Sequence, residues 1–291
     1  MNYKVFEDHV ISSFEMNSIF VYENIQYRVL RSGKPRPQGR GECKTDVYIE
    51  AQALDGTNQI REIKISCKLL NSHEFQENKI KAERAVEIFG ENWSEIIRGA
   101  TESIRNCFEE TVVYFPFGTA KTKETIFTNG WKLEIANKAR GLSCRLNLSE
   151  QVIKDRIYKG TTLDDRKKNS KVNGEVVPCS GVAEYILISN PTISITTADI
   201  LSHMIQIDQY TIDDHYMVFT ANNLRVLKNK TDGDRALAVQ VIWTASECGQ
   251  MMTHDIEYSN PLNGEHSARM IANRTISEIN KTSESFRLAF I

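Results

Sequence analysis

The sequence predicts an α/β protein, and three observations carry that expectation. Strand-like runs dominate residues 18–68, two amphipathic helical runs follow between His73 and Glu110, and strand and helix candidates alternate through the rest of the chain. The expected organisation is an α/β part over residues 1–150, followed by an α+β part over 151–291 that packs against it or within one domain. With 291 residues, 41% of them hydrophobic and 25% charged, the chain can bury a sizeable core.

Each element has its own local reason. Ser18–Arg31 reads as a small hairpin turning at Glu23-Asn24. A second hairpin joins Thr45–Leu54 to Gln59–Lys68 through Asp55-Gly56-Thr57-Asn58, a Gly-containing turn between alternating runs. His73–Phe89 is expected as a helix burying Phe75, Ala82, Ala85, Val86 and Phe89, stopped by Gly90. Asn92 is expected to cap a helix from Trp93 to about Glu110, followed by a short strand over Thr111–Phe115. Ile126–Leu148 reads as paired strands, and Ser149 as the cap of a helix reaching Tyr158. Lys154–Gly174 is rich in Lys and Arg with few apolar residues, and is expected to be a flexible, net-basic connection. Beyond it, strands are expected over Val182–Ile188, Tyr216–Thr220 and Ala236–Trp243, with helices over Thr197–Ile207 and Gly264–Ile276.

The chemistry concentrates on the second hairpin. Side chains two apart on a strand share a face, so Glu62 and Lys64 project together while Ile63 and Ile65 point to the other side. Asp46 opens the partner strand, where a carboxylate can lean toward the same floor. Two carboxylates suit Mg²⁺, whose octahedron is completed by waters and a substrate phosphate. An ammonium beside such a metal can lower the pKa of the attacking water, orient it, or neutralise charge on a phosphorane. Cys67, on the opposite strand face, reads as buried filler.

Asp46 followed by Glu62-Ile63-Lys64 resembles the signature of the PD-(D/E)xK nuclease superfamily, with Thr45 where the motif's proline is usually written. The resemblance runs from the basic loop near residue 31 to the helices ending near 110. It implies a restriction-endonuclease-like core over 1–150 with a mixed central sheet flanked by helices, Asp46 and Glu62 as metal ligands, Lys64 as the residue that activates or positions water, and Mg²⁺ as cofactor, with Mn²⁺ able to substitute. It also implies in-line attack leaving a 5′-phosphate and a 3′-hydroxyl. The expected activity is that of a DNA endonuclease cutting duplex DNA as a homodimer, sequence-specific in the manner of a type II restriction enzyme. Alternatives are a structure-specific phage or repair nuclease or junction resolvase, and a non-catalytic nucleic-acid-binding protein that retains the fold. The α+β part over 151–291 is then expected to serve recognition or dimerisation.

Basic segments bear on the same reading. Arg31–Lys44 holds Arg31, Lys34, Arg36, Arg40 and Lys44 among three glycines and two prolines, which favours a loop suited to phosphate contacts. Arg225, Lys228 and Arg235, with Asn222 and Asn223, surround the turn Thr231–Asp234 and are further candidates for nucleic-acid contact. Because the net charge is −2, binding to a polyanion has to come from such local patches. The sequence has no Gly-rich NTP loop and no G-x-S-x-G elbow. Its six scattered cysteines read as reduced thiols. With no secretory leader at Met1–His9 and no apolar run of membrane length, the expectation is a cytoplasmic protein without membrane contact.

Overall fold

The structure is a computed structural model describing residues 3–70, 76–78, 80–117, 124–189, 196–264 and 267–288. The chain begins with α1 (Tyr3–Ser12), β1 (Ile19–Tyr22), β2 (Ile25–Gly33), β3 (Val47–Ala53) and β4 (Ile60–Leu69). There follow β5 (Gln76–Glu77), α2 (Ala82–Phe89), α3 (Trp93–Ser103), α4 (Arg105–Glu109), β6 (Tyr114–Phe115), β7 (Ile126–Ala136) and β8 (Ser143–Arg145). Next come α5 (Glu150–Ile153), a π-helical turn (Lys154–Lys159), α6 (Asp165–Lys168), β9 (Lys171–Val172), β10 (Glu175–Val176), β11 (Tyr185–Ser189), α7 (Thr197–His203) and β12 (Ile205–Gln206). The last elements are β13 (Tyr216–Arg225), β14 (Lys230–Thr231), β15 (Val239–Ala245), β16 (Met252–Glu257), α8 (Ala268–Lys281) and α9 (Glu284–Leu288). Two compact units result, each made of two chain segments: Met1–His73 with Leu148–Ile212, and Glu74–Asn147 with Asp213–Ile291.

The first unit is built on a sheet ordered β1-β2-β3-β4-β11-β12. Its first four strands form an antiparallel meander, and β11 joins β4 in parallel, so the sheet is mixed. The β1–β2 turn sits at Glu23-Asn24, both with positive φ (52° and 66°), the backbone a type I′ hairpin requires. On one face, Phe6 and Val10 of α1, with Phe14 just beyond it, pack on Val47, Ile49, Ile63, Ile65 and Cys67, joined by Leu187 and by Ile200 of α7. Each such side chain contributes about 1.5–3 kcal/mol by leaving water, which fixes the register of β3 and β4. That register turns the even-numbered residues of both strands to the opposite face.

The stretch from residue 154 to 174 is folded, contrary to the flexible connection expected of it. Ser149 caps α5, the π-helical turn carries the chain on, and Gly160 (φ +78°) ends it. Asp164 caps α6, and Leu163, Ser170 and Val172 are buried. Val172 and Val177 close over Tyr48, and Arg36 pairs with Lys171 as an isolated antiparallel bridge. Contacts with residues distant in sequence supply the order that its composition lacks.

In the second unit the sheet runs β14-β13-β7-β15-β16, with β5 and β6 also on β7. β7 and β8, expected as partners, both pair with β13. Gly130 (φ +143°) lies where an added Cβ would meet the Val239 carbonyl oxygen at 2.2 Å, so only glycine allows the strands to approach there. Phe108 packs edge-on against Trp131, Phe219 and Tyr258, while Ala268 and Ile271 of α8 cover Leu237. The helix expected over Trp93–Glu110 breaks at Ile104 (φ −124°), and Asn92, at φ −84° and ψ 14°, makes no side-chain cap. A helix expected from His73 is confined to α2, residues 73–75 lying outside the described residues. Gly90 ends it at φ +80°. Among the described residues no helix is long and apolar enough to cross a membrane.

Candidate functional site

The β3–β4 register sets Lys64 opposite Tyr48 and Glu62 opposite Glu50. Like charges directly across a pair of strands destabilise it, and Tyr48 offsets this for Glu50 and Glu62. Its hydroxyl donates to Glu62 Oε1 at 2.5 Å and lies 3.3 Å from Glu50 Oε2. Burial, reinforced by the hydrogen bond and charge of Glu62, raises the Tyr48 pKa, so the phenol stays protonated and a donor. Lys64 Nζ reaches Glu184 Oε1 at 2.8 Å and Glu62 Oε2 at 3.5 Å. Burial disfavours the ammonium, yet the hydrogen bond and charge of Glu184, with those of Glu62, outweigh it and raise the Lys64 pKa. The lysine side chain is 7% exposed while the carboxylates of Glu62 and Glu184 are 37% and 46% exposed, so the cluster opens to solvent on its acidic side.

Asp46 occupies a different environment. Its backbone N–H continues the ladder to the Ile65 carbonyl at 2.8 Å. Its Oδ2 accepts the Cys67 N–H at 2.9 Å and the Ser66 hydroxyl at 3.4 Å. Its charge also reaches α1: burial raises the Glu7 carboxyl pKa, Lys34 opposes the rise, and Asp46 adds to it. Of the three residues singled out by the motif, Glu62 and Lys64 are thus brought together. Among the described residues no hydrogen bond or ion pair joins Asp46 to either of them. Nor do any three His, Cys, Asp or Glu side chains there form a ready cation cage.

The other predicted binding residues divide by their partners. Arg31 pairs with Glu175 at 2.7 Å, and Lys34 with the buried Glu7. Arg36 and Arg40 are exposed, and Lys44 is half-buried. In the second unit, Arg225 pairs with Asp232 at 3.2 Å, Lys228 with Glu124, and Arg235 is half-buried. Asn222, considered for base contact, is fully buried and donates to the carbonyls of Asp232 and Gly233, which makes it a turn support.

Sequence reasoning missed Tyr48, Glu50, Glu184 and Glu7. Tyr48 and Glu50 share the site face by simple alternation, a signal present in the sequence. Glu184 meets Lys64 because β11 runs parallel to β4 and Glu184 donates its N–H to the Lys64 carbonyl at 2.9 Å, a pairing 120 residues apart that no local pattern announces. The chain matches no family model, no curated protein and no solved structure.

Proposed function

We propose that the first unit is a metal-dependent DNA endonuclease of the PD-(D/E)xK type, with Glu62 and Lys64 at its hydrolytic centre. The observation that carries this reading is the buried ammonium of Lys64 held 3.5 Å from Glu62 on the polar face of β4, an inner strand of a mixed sheet. The order helix, four antiparallel strands, then a parallel strand added after a long insertion supports a restriction-endonuclease-like core.

Asp46 and Glu62 are the residues that would hold Mg²⁺. Asp46 keeps Oδ1 and Glu62 keeps Oε2, the latter facing Lys64 at 3.5 Å, and Mg²⁺ is commonly held by one or two carboxylates with waters and phosphate completing the shell. Bound there, the ion would supply Lewis-acid activation of water and phosphate. The chain's own contribution is positional and electrostatic. Tyr48 fixes one oxygen of Glu62, and Glu184 and Glu62 hold the lysine as a charged donor aimed at the anionic group that approaches. The water oxygen forms the new bond to phosphorus in line with the 3′ oxygen, whose bond breaks. The water's proton passes to solvent and the leaving oxygen takes one up, giving a 5′-phosphate and a 3′-hydroxyl. Sequence-specific cutting by a homodimer, with the second unit serving recognition or dimerisation, is the finer form of this proposal.

A second reading has one observation in its favour. The hydrogen bonds from Cys67 and Ser66 give Asp46 a structural role at the strand end, as expected of a binding protein that keeps the fold without the chemistry. Incubating supercoiled plasmid with the protein in Mg²⁺ and in EDTA separates the two. A nuclease nicks only with metal and leaves 5′-phosphate ends, whereas a pure binder retards the plasmid in both and cuts in neither.

A further inference from the structure

Two basic segments that lie far apart in sequence are joined edge to edge in the first unit. Arg36 and Lys171 exchange both backbone hydrogen bonds, at 2.9 and 2.7 Å. Gln38 N–H donates to the Arg166 carbonyl at 2.9 Å, and its side chain donates to the Asn169 carbonyl at 2.6 Å. Lys44 N–H meets the Gly181 carbonyl at 2.9 Å, and Gly181 N–H meets the Lys168 carbonyl at 2.8 Å. Basic side chains lie against the loop: a Cβ on Gly41 would stand 2.8 Å from Lys167 Cε, and Arg166 Cδ comes within ordinary contact of Gly39, 3.8 Å from where a Cβ would be.

We propose that this seam is the surface on which the backbone of duplex DNA lies, with Arg36, Arg40, Arg166 and Lys171 as its phosphate contacts. The cations nearby are already answered: Lys167 by Asp164 at 2.8 Å, Lys168 by Asp165 at 3.3 Å, and Arg31 by Glu175 at 2.7 Å. By contrast the four named side chains are exposed, and among the described residues none of them is in an ion pair. Arg36 and Lys171 moreover stand directly opposite each other in a hydrogen-bonded pair, where like charges repel. An external polyanion relieves that repulsion, and the guanidinium forks match phosphate oxygens. The seam also borders the candidate centre. Lys44 lies two residues before Asp46, Val172 packs on Tyr48, and the chain leaving Gly181 reaches Glu184 on Lys64. Duplex DNA as the ligand rests on the nuclease reading, but binding and cutting are measured separately.

The test is binding of a random-sequence 30-base-pair duplex in EDTA over a series of salt concentrations. Removing one cation from the phosphate backbone lowers the magnitude of the slope of log affinity against log salt by about 0.9. Arg166→Gln with Lys171→Gln is therefore expected to reduce it by about 2, as much as Arg36→Gln with Arg40→Gln. The single variants, each expected to cost about 1 in the slope, carry the same test should a pair disturb folding. An unchanged slope in the Arg166 and Lys171 variants overturns the proposal, as does wild type that fails to bind the duplex or binds anionic lipid vesicles in its place. Wild type that binds with the expected slope changes but never cuts in Mg²⁺ upholds the seam and removes the hydrolytic reading.

Discussion

Lys64 is the side chain on which chemistry and stability separate most cleanly. Its partners Glu62 and Glu184 remain substantially wet, so their ion pairs contribute only about 1 kcal/mol to folding. A charged donor aimed at the transition state is worth far more, about 10²–10³-fold in rate. Lys64→Met keeps the buried volume, and is expected to leave the urea midpoint nearly unchanged while cutting the rate of DNA incision by about that factor. A second residue reports on folding alone. His215 is 2% exposed with Nδ1 2.8 Å from the Asp213 carbonyl oxygen, and burial holds its pKa below the ordinary 6.5. The unfolded chain then binds a proton near pH 6.5 that the folded chain refuses, so this stability is complete above that pH and is lost as pH falls toward the lowered folded value. In chemical denaturation across pH 4–8, roughly the range such a histidine spans, His215→Gln should flatten that decline. A parallel decline in both proteins would contradict the assignment.

At the scale of elements, Gly181 shows how the basic seam is held. A Cβ there would sit 2.0 Å from the Lys167 carbonyl oxygen and 2.9 Å from Cys43 Cβ, an overlap whose relief costs about 1–3 kcal/mol. Gly181→Ala is expected to lower the melting temperature, and to weaken duplex binding without removing any charge. Unaltered binding would mean that the two segments act independently. The same elements show what a sequence can announce. Both N-terminal hairpins were legible because turn residues and alternation act over a few positions, whereas the parallel β11 that makes the sheet mixed lay beyond any local pattern. The order of residues 154–174 was not, since Val172, Val177 and Lys171 acquire their places from Tyr48 and Arg36, more than 120 residues upstream. Within the site, the shared face of Glu62 and Lys64 followed from strand parity, whereas Glu184 needed the parallel register of β11. The engagement of Asp46 with the Cys67 N–H depended on where β3 begins, and strand ends are where patterns are least informative.

For the whole molecule, net charge governs how it meets a polyanion. At −2 the chain has no global cationic field, so association with DNA has to be local. If the proposed seam holds the duplex, its four cations outside any ion pair among the described residues give an expected wild-type slope of log affinity against log salt of about −4. A value near −10 would require a much larger basic face than the first unit offers. The two units also divide the candidate residues: Glu62, Lys64 and the seam belong to the first, and Arg225, Lys228 and Arg235 to the second. The most direct test of the central claim is the rate of plasmid nicking in Mg²⁺ by wild type and by Glu62→Gln, measured beside an EDTA control. The account predicts metal-dependent nicking by wild type and a drop of about 10²-fold or more in the variant. Nicking that persists unchanged in Glu62→Gln, or proceeds in EDTA, would contradict it.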